Sequence, residues 1–459
     1  MKRWYWVGLA ATVVAIASCG DEPLRCGPGT ARKGNECLVQ GQPSHSAGGN
    51  KPVDNTPADN GGDTGSAGDH SDGAGGRVSD PSGGAGGDRE SSAGESGEGG
   101  SAGGTVAEAG LITTELGCDS HNITGATLIS EPITQDTVWT GVIYLPKGLS
   151  MRNEPTLTIT PGTRIIVGHD ATIEFGWPGG GHATIVAAGT VDEPIMFCGE
   201  TDTAGYWAGM VFRSGVKSTS VLRNVLIADA GGTDAALTLE MPLLVQGVQV
   251  RNSGTNGVNT VGFAPKSSTL IVSGAAKTAV KITRAKGAEV PVGSQLTGNG
   301  IDMVDLAFST VDANVSLRNV GVPYALAGLQ ITAGASLTLQ PGVQLLVAQD
   351  SSVSVLSGAT LNASGNPEAK VEFRALNSAH WGSISAELGA SVLLDYAVID
   401  RAGGGVLNGA VLAAAPIQLT HSTISNSSTW GLKKASTDST DYLSGNTFAG
   451  NVSGDVTDL

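Results

Sequence analysis

A block of the chain occurs twice, and this internal repeat constrains the fold more than any local pattern does. The first copy covers residues 157–167 and 204–212, and the second covers residues 337–347 and 378–384. Each copy contains an apolar segment, a Pro-Gly pair, a second apolar segment and then a tryptophan. Repeats of this kind bury their apolar faces against neighbouring repeats, so they stack into elongated structures. The repeat therefore predicts the architecture of most of the chain before any chemistry is considered.

Short apolar runs begin near residue 111 and indicate strands. They are rich in Val, Ile, Leu and Thr, and Gly, Asn, Asp and Ser separate them. Residues 156–160 and 336–340 alternate between apolar and polar side chains, which is the period of half-buried strands. We find no long stretch with helical periodicity, so helices should be rare and terminal.

A shorter period lies inside the large repeat. Ile227 and Val250 occupy similar places 23 residues apart, and Ile399 and Ile424 do so 25 residues apart. Steps of this size match one coil of three short strands, and they predict an all-β, right-handed parallel β-helix. About 340 residues at roughly 24 per coil would form about 14 coils.

Several motifs resemble those of a known superfamily. They are LTITPG at 157–162, GTVDEPIMF at 189–197, the pair Tyr206-Trp207 with their second-copy counterparts, and NTFAGN at 446–451. Together they resemble the right-handed parallel β-helix proteins of the pectate-lyase-like superfamily, in particular exported bacterial lipoproteins of that type. The resemblance covers residues 120–459 and implies the fold. It implies no single activity, because that superfamily includes lyases, hydrolases, adhesins and proteins without a known activity.

The N-terminus has the parts of a bacterial export signal. Lys2 and Arg3 precede an apolar run at residues 4–17, which is too short to predict a membrane-spanning helix. The run ends in Ile-Ala-Ser-Cys19, which resembles the lipobox of bacterial lipoproteins. This resemblance implies that Cys19 carries a diacylglycerol and further acyl chains such as palmitate, which together hold a protein stably on a membrane. An ordinary secretory signal with an incidental cysteine is the alternative.

The localisation follows from the same segment. In enteric-type sorting, an Asp directly after the lipidated Cys retains a lipoprotein at the inner membrane, and here Gly20 occupies that position. We therefore expect a lipid-anchored protein of the bacterial cell envelope, with the outer membrane favoured. Its orientation, towards the periplasm or outward at the cell surface, stays open.

Residues 41–110 have the composition of a disordered tether. They contain no Leu, Ile, Met or aromatic residue, so they cannot bury enough apolar surface to offset their ordering entropy. This segment contains eleven acidic and three basic residues, so its net charge is −8, which is half of the chain's −16. A coil of this length spans about 45 Å on average, which would hold the folded part away from the membrane. The predicted order is therefore a signal peptide at 1–18, a lipidated N-terminus at 19–40, the tether, and a β-helix domain at 111–459.

The remaining four cysteines allow three disulfide pairings in an exported protein. The turn-rich segment between Cys26 and Cys37 favours a bridge that closes a small loop. Cys118 and Cys198 are then left to pair. This second bridge requires the segment around Cys118 to fold back, because we place the two residues about two coils apart and a bridge needs Cα atoms within about 7 Å.

The sequence shows no recognisable catalytic or metal-binding constellation. Polysaccharide lyases of the superfamily need several carboxylates and an Arg or Lys on one face, whereas Asn252 follows Asp229 one coil later and Asn426 follows Asp400. We interpret these four as turn residues at related places in the two copies. Hydrolase motifs of the fold and histidines at metal-ligand spacing are absent from the sequence, and no G-x-S-x-G elbow stands on a strand-to-helix turn. We therefore assign no catalytic, metal-binding or cofactor-binding residue, and we expect no cofactor.

Aromatic and basic residues are sparse. Trp207 and Trp381 recur beside core strands, so we predict that they are buried, and we predict exposed aromatic contacts at Trp139, Trp177 and Trp430. The glycine-rich stretch at 176–182 is interpreted as a surface loop rather than a ligand lid. With 26 basic residues against 42 acidic ones, nucleic acid is a disfavoured partner.

These observations predict a structural or binding module rather than an enzyme. Its partners would be the membrane, through the lipid, and a glycan or another envelope protein. The alternative is a carbohydrate-active enzyme, a polysaccharide lyase or hydrolase, whose catalytic residues follow no recognised motif. Three or more carboxylates converging with an Arg or Lys in one groove would favour that alternative.

The Cys19→Ala variant tests the anchor. Without the thiol no lipid can be attached, so we expect the variant to remain unprocessed or to move to the aqueous phase in a detergent partition. The wild-type chain is the control. Normal maturation and unchanged membrane association of the variant would contradict lipidation.

Overall fold

The computed structural model describes residues 30–33, 36–39, 110–118, 120–176 and 182–459. Strands β1 (Thr30–Lys33) and β2 (Glu36–Val39) form an antiparallel pair that belongs to a separate compact unit. Cys19, Cys26, the tether and Trp177 lie outside the described residues. Within the described residues there is no helix, and so none with the length and hydropathy of a membrane span.

The larger unit, which begins at residue 110 among the described residues, consists of strands of two to eight residues. Its first half contains β3 (Thr127–Leu128), β4 (Thr137–Trp139), β5 (Val142–Leu145), β6 (Gly148–Ser150), β7 (Thr156–Ile159), β8 (Arg164–Val167), β9 (Thr172–Phe175), β10 (Thr184–Ala188), β11 (Ile195–Gly199), β12 (Gly209–Phe212), β13 (Val221–Ala228), β14 (Ala235–Leu239), β15 (Leu244–Arg251), β16 (Asn256–Thr260), β17 (Ser268–Ser273) and β18 (Thr278–Ile282).

The second half of the unit continues in the same manner. It contains β19 (Ile301–Leu306), β20 (Thr310–Val311), β21 (Val315–Leu317), β22 (Tyr324–Leu326), β23 (Leu329–Ile331), β24 (Ser336–Leu339), β25 (Gln344–Val347), β26 (Val353–Val355), β27 (Thr360–Ser364), β28 (Val371–Ala375), β29 (Ile384–Ala386), β30 (Ser391–Asp395), β31 (Ala397–Asp400), β32 (Gly409–Ala413), β33 (Gln418–Thr420), β34 (Thr423–Ser425), β35 (Trp430–Lys434), β36 (Thr447–Ala449) and β37 (Gly454–Asp458).

These strands stack as a parallel β-solenoid, which confirms the predicted all-β fold. Ile227 of β13 pairs with Val250 of β15, and Ile399 of β31 pairs with Ile424 of β34, so one sequence step is one coil. One thirteen-stranded sheet, in the order β36-β34-β31-β28-β25-β22-β19-β18-β16-β14-β12-β9-β6, receives one strand from each coil. The solenoid therefore has about 13 coils, close to the 14 expected from its length.

The other two faces of the solenoid differ between its halves. In the first half they merge into a ten-stranded sheet, because β13 runs through the corner and pairs with both β10 and β11. In the second half they are a seven-stranded sheet that begins at β20 and a five-stranded sheet that begins at β21. Strand β17 is the last strand of the ten-stranded sheet. The ladder on these two faces is thus interrupted near residues 283–300.

The Pro-Gly pairs form similar corners, each between two short parallel strands as predicted. Gly162 and Gly342 adopt φ values of 74° and 79°, a conformation that glycine reaches without steric cost. Each donates its backbone N–H to the next coil, to Glu193 O and Ala369 O at 3.0 and 3.1 Å. The prolines need no such acceptor because they carry no N–H.

The two copies nevertheless lie on different faces of the solenoid. Strand β9 is the third strand of the first copy, and β25 is the second strand of the second copy, yet both belong to the thirteen-stranded sheet. The second copy is therefore displaced by one face around the axis. The two corners are therefore equivalent in their local turn geometry, as expected, but they lie between different faces of the solenoid.

The inward side chains form one continuous apolar core. In both copies the residues expected to point inward are at most 1% exposed: Leu157, Ile159, Ile165, Val167, Leu337, Leu339, Leu345 and Val347. In β7, β24 and β25 they alternate with outward residues that are at least partly exposed. Such stacking buries each inward side chain against the coils before and after it. The repeat in the sequence is thus a repeat of core positions.

The repeated tryptophans belong to this core, as predicted. Trp207 and Trp381 are fully buried, and their indole N–H groups donate to Ala228 O and Asp400 O at 2.8 and 2.9 Å. The prediction for Trp139 is wrong, because this side chain is 2% exposed. Its neighbour Val138 is 66% exposed, so strand alternation turns Trp139 inward.

Truncating one inward leucine tests the core. We expect Leu157→Ala or Leu337→Ala to lower the free energy of unfolding by about 2–5 kcal/mol, since a stacked interior relaxes little around a cavity. Urea denaturation followed by circular dichroism measures the change. Thr158→Ala is the matched control because Thr158 lies between two inward residues and points outward, and a similar loss for both variants would contradict the assigned core.

Candidate functional site

The segment at residues 110–118, termed the arm, lies across the outer face of the ten-stranded sheet. Ile112 N donates to Asn224 Oδ1 at 3.0 Å. Gln249 of β15 then holds the arm twice, accepting from Leu116 N at 2.8 Å and donating to Thr114 O at 2.5 Å. Backbone groups that belong to no strand are therefore paired with side chains of the solenoid.

The arm buries apolar residues on the outside of the solenoid. Ile112 of the arm is 2% exposed. Leu226 of β13 and Ile271 of β17 alternate with core residues and so face outward, yet they are 0% and 2% exposed. A second, smaller apolar layer thus lies between the arm and the sheet, and it stabilises the arm in place.

A disulfide bond fastens the end of the arm. Cys118 is bonded to Cys198 of β11, with Cα atoms 6.1 Å apart and 80 residues between them in sequence. The fold-back that this pairing requires is provided by the arm. The other predicted pair, Cys26 with Cys37, cannot be placed, because Cys26 and the side chain of Cys37 lie outside the described residues.

A stacked corner begins beside this disulfide. Asp229, Asn252 and Gly274 occupy the same place in three successive coils, with φ values of 62°, 53° and 68°. Their N–H groups donate to the next coil, to Arg251 O, Ser273 O and Gly298 O. Asp and Asn tolerate this left-handed conformation better than most residues, which agrees with their interpretation as turn residues.

Asp229 is the central carboxylate of this corner. It is 2% exposed, and its oxygens accept from Gly199 N at 3.3 Å and from Asn252 Nδ2 at 2.8 Å. Burial raises the pKa of the Asp229 carboxyl above its usual range, and the neighbouring Asp202 adds to this effect. The disulfide sulfur of Cys118 lies 4.0 Å from Asp229 Oδ2 and has no proton to donate.

A cleft of about 570 Å³, termed the arm cleft, opens between the arm and this corner. Exposed polar groups of Glu115, Asp202 and Thr297 line it, together with partly exposed His121 and Arg251. Asp202 Oδ1 accepts from Asn252 Nδ2 at 3.1 Å, and His121 Nδ1 lies 2.8 Å from Gly199 O. The cleft thus presents several hydrogen-bonding groups to solvent.

Three carboxylates and an arginine converge here, which is the arrangement that would favour an enzyme. Two members are already engaged by the protein. Asp229 is buried with both oxygens hydrogen-bonded, and Arg251 donates to Leu116 O and lies 4.0 Å from Glu115. We therefore assign Arg251 to fastening the arm and Asp229 to holding the corner between Gly199 and Asn252. Among the described residues, no group of three or more His, Cys, Asp or Glu is arranged to hold a metal ion.

The second copy places different chemistry at the matching corner. Arg401, not Asp400, adopts the left-handed conformation with φ 53°, whereas Asp400 is the last residue of β31. The expectation that Asp229 and Asp400 occupy related places is therefore wrong by one residue. Asp400 Oδ2 lies 3.6 Å from Arg374 and 3.5 Å from Arg401, so its carboxylate is paired with cations.

Sequence reasoning missed the arm, although a signal was present. Asn224 and Gln249 are amides within strands β13 and β15, and both are fully buried. A buried amide needs hydrogen-bond partners, and both of these amides obtain some of theirs from the arm. Outward amides next to Cys198 could therefore have indicated a segment that crosses this face.

Removing the disulfide tests its role in holding the arm. A bond that closes a loop of about 80 residues stabilises the fold by about 2–5 kcal/mol, so we expect Cys118→Ala/Cys198→Ala to unfold at lower urea concentration. Hydrogen exchange should also show faster exchange at the amides of Ile112 and Leu116. Exchange in the distant strand β31 is the internal control, and unchanged protection of the arm would contradict its attachment by Cys118.

Comparisons with known proteins assign the chain to no family. No protein-family model matches the sequence, and no curated protein or solved structure matches it. The likeness to the pectate-lyase-like superfamily therefore rests on the sequence motifs, and the structure supports its coarser part, a parallel β-solenoid.

Proposed function

We propose that the protein is a lipid-anchored module of the bacterial envelope that binds glycans in the arm cleft. The arm cleft is the observation that carries this proposal, because it collects exposed hydrogen-bonding groups in one concave site on a rigid framework. The anchor is supported by the sequence around Cys19, and the outer membrane by Gly20.

The chemistry of the arm cleft favours neutral sugar hydroxyls as the ligand groups. Asp202 and Glu115 accept hydrogen bonds, Thr297 both donates and accepts, and His121 offers a ring nitrogen. Charge-assisted hydrogen bonds from hydroxyl groups to carboxylates are stronger than those between neutral groups. The exposed carboxylates of Asp202 and Glu115 would repel an anionic ligand, so a neutral saccharide fits this cleft best.

A carbohydrate-active enzyme is the second candidate. The convergence of Glu115, Asp202 and Asp229 with Arg251, together with the raised pKa of Asp229, favours it. A general acid must reach the bond that it protonates, and Asp229 is buried beneath Asn252 and the disulfide. Because the buried Asp229 cannot reach a bound glycan, the residues of the arm cleft favour binding over catalysis.

A glycan array probed with the full chain carrying Cys19→Ala tests the proposal. We expect neutral glycans to be retained, and we expect Asp202→Ala to weaken their binding by about tenfold or more, as for the loss of one hydrogen bond to a charged group. Asp192→Ala is the matched control, because Asp192 is also an exposed carboxylate and lies outside the cleft.

The same glycans, incubated with the chain and calcium, separate the two candidates. Appearance of new reducing ends or unsaturated products, abolished by Asp202→Ala, would establish the enzyme instead. Equal retention by Asp202→Ala and Asp192→Ala, or no retention of any neutral glycan, would contradict binding in the arm cleft.

A further inference from the structure

A second concave site, termed the basic cleft, lies where the ladder of strands is interrupted. It has a volume of about 740 Å³ and is formed by residues 261–267 before β17, residues 284–292 after β18, and Arg318 after β21. Residues 292–295 run beside β17 without forming a strand: isolated bridges join Val292 to Ser268 and Gln295 to Ile271, and backbone hydrogen bonds accompany them. The connection at 283–300 thus covers the second side of β17, and its first part borders the basic cleft together with the turn before β17.

Among the described residues, four cations and a single carboxylate line the basic cleft. The cations are Lys266, Arg284, Lys286 and Arg318, and the carboxylate is Glu289. Glu289 Oε1 accepts from Ser316 N at 3.2 Å, so this carboxylate is engaged by the neighbouring strand. The excess of positive charge is notable in a chain whose formal net charge is −16.

These cations have no carboxylate partner in the part of the chain that the structure describes. Ion pairs there involve other basic residues: His169, Arg213, Lys217, Arg251, Arg374, Arg401, His421 and Lys434. The Arg318 Nε atom is also buried without a hydrogen-bond partner among the described residues. An oxyanion in the cleft would supply the negative charge that the four cations lack.

The backbone at this site is unusual for a lysine. Lys266 adopts φ 71°, a conformation that is common for glycine and rare for long side chains. Its carbonyl accepts from Gln246 Nε2 at 3.1 Å, which holds the turn in place. The same conformation occurs at other turns of the solenoid, such as the one at Arg401, and here it forms the turn before β17.

The walls of the basic cleft are apolar. Phe263 and Val290 are buried beneath it, and Pro291 and Val292 form one side, with Val292 59% exposed. A ligand that fits must therefore combine oxyanions with a partly apolar body. The carbon-bound hydrogens of a sugar ring provide such a body.

We propose that the basic cleft binds a phosphate-bearing saccharide. A phosphate group carries about −1.5 to −2 charges at neutral pH, so one or two phosphates match the charge excess of this cleft better than a single carboxylate does. Arginine forms paired hydrogen bonds with phosphate oxygens, and lysine neutralises them as a point charge. The volume lies in the usual range for small-ligand sites. This site shares no residue with the arm cleft and is independent of the function proposed above.

Calorimetric titration of the full chain carrying Cys19→Ala tests the proposal with three probes: a hexose phosphate, the same hexose without phosphate, and inorganic phosphate. We expect the hexose phosphate to bind at least about tenfold more tightly than the other two, because only it supplies both the oxyanion and the ring. Binding should also weaken as the salt concentration rises. Equal binding of the hexose phosphate and inorganic phosphate, an adventitious ion only, would overturn the proposal.

Paired charge removals locate the site. Arg284→Gln/Lys286→Gln removes two exposed cations of the cleft and should weaken hexose phosphate binding by about tenfold or more. Lys147→Gln/Lys277→Gln removes two exposed cations elsewhere and should leave it unchanged. Equal losses in both double variants would show a general charge effect and overturn the assignment.

Flotation with phosphatidylcholine vesicles distinguishes the two sources of the ligand. The vesicles are prepared with or without a lipid whose headgroup is a phosphorylated disaccharide, and the Cys19→Ala chain carries no acyl anchor of its own. Co-flotation with the glycolipid vesicles, lost in Arg284→Gln/Lys286→Gln, supports a membrane-bound phosphosaccharide. Calorimetric binding without co-flotation supports a free one, and preference for an acidic peptide over both would overturn the proposal.

Discussion

The backbone ladder between successive coils is the constraint on which the rest of the structure depends. A strand in a parallel solenoid obtains its hydrogen bonds only from the coils before and after it, so the chain must return to each face at a nearly constant step. The chain returns to the same face after 23 residues at Ile227, which pairs with Val250, and after 25 residues at Ile399, which pairs with Ile424. Inward side chains therefore lie directly above one another, and each core position is buried by its counterparts rather than by distant parts of the chain.

The same constraint explains which features could be predicted. Period-2 alternation and the Pro-Gly corners depend only on local backbone geometry, so Leu157, Leu337 and Gly162 were placed correctly. The face on which a copy lies depends on how many strands precede it. Uneven connections such as 283–300 change that number without leaving a mark in the repeat itself. The displacement of the second copy by one face was therefore not predictable from the matching motifs.

Predictions of exposure and of site chemistry failed for other reasons. Trp139 was misjudged because its strand has only three residues, too few for alternation to be read. Asp229 and Asp400 were predicted to be equivalent because each follows an apolar run. Only the φ values show that Arg401, and not Asp400, occupies the turn position of the second copy. The arm cleft was missed because it depends on a segment that is distant in sequence. Contacts between Ile112 and Asn224 span 112 residues, and no local pattern encodes them.

The arm gives one of two similar corners a different electrostatic environment. At the first corner Cys118 and the arm exclude water from Asp229, and this burial raises the pKa of its carboxyl. At the second corner Asp400 lies beside Arg374 and Arg401, so the carboxylate is stabilised by opposite charge instead. A solenoid can therefore repeat its backbone while changing the chemistry of each corner, because outward side chains do not affect the ladder. Concave sites arise where that regularity is broken, by an added segment at the arm cleft and by an irregular connection at the basic cleft. The two breaks expose opposite charges, because carboxylates line the arm cleft and cations line the basic cleft, so a single rigid body presents two concave surfaces of different chemistry.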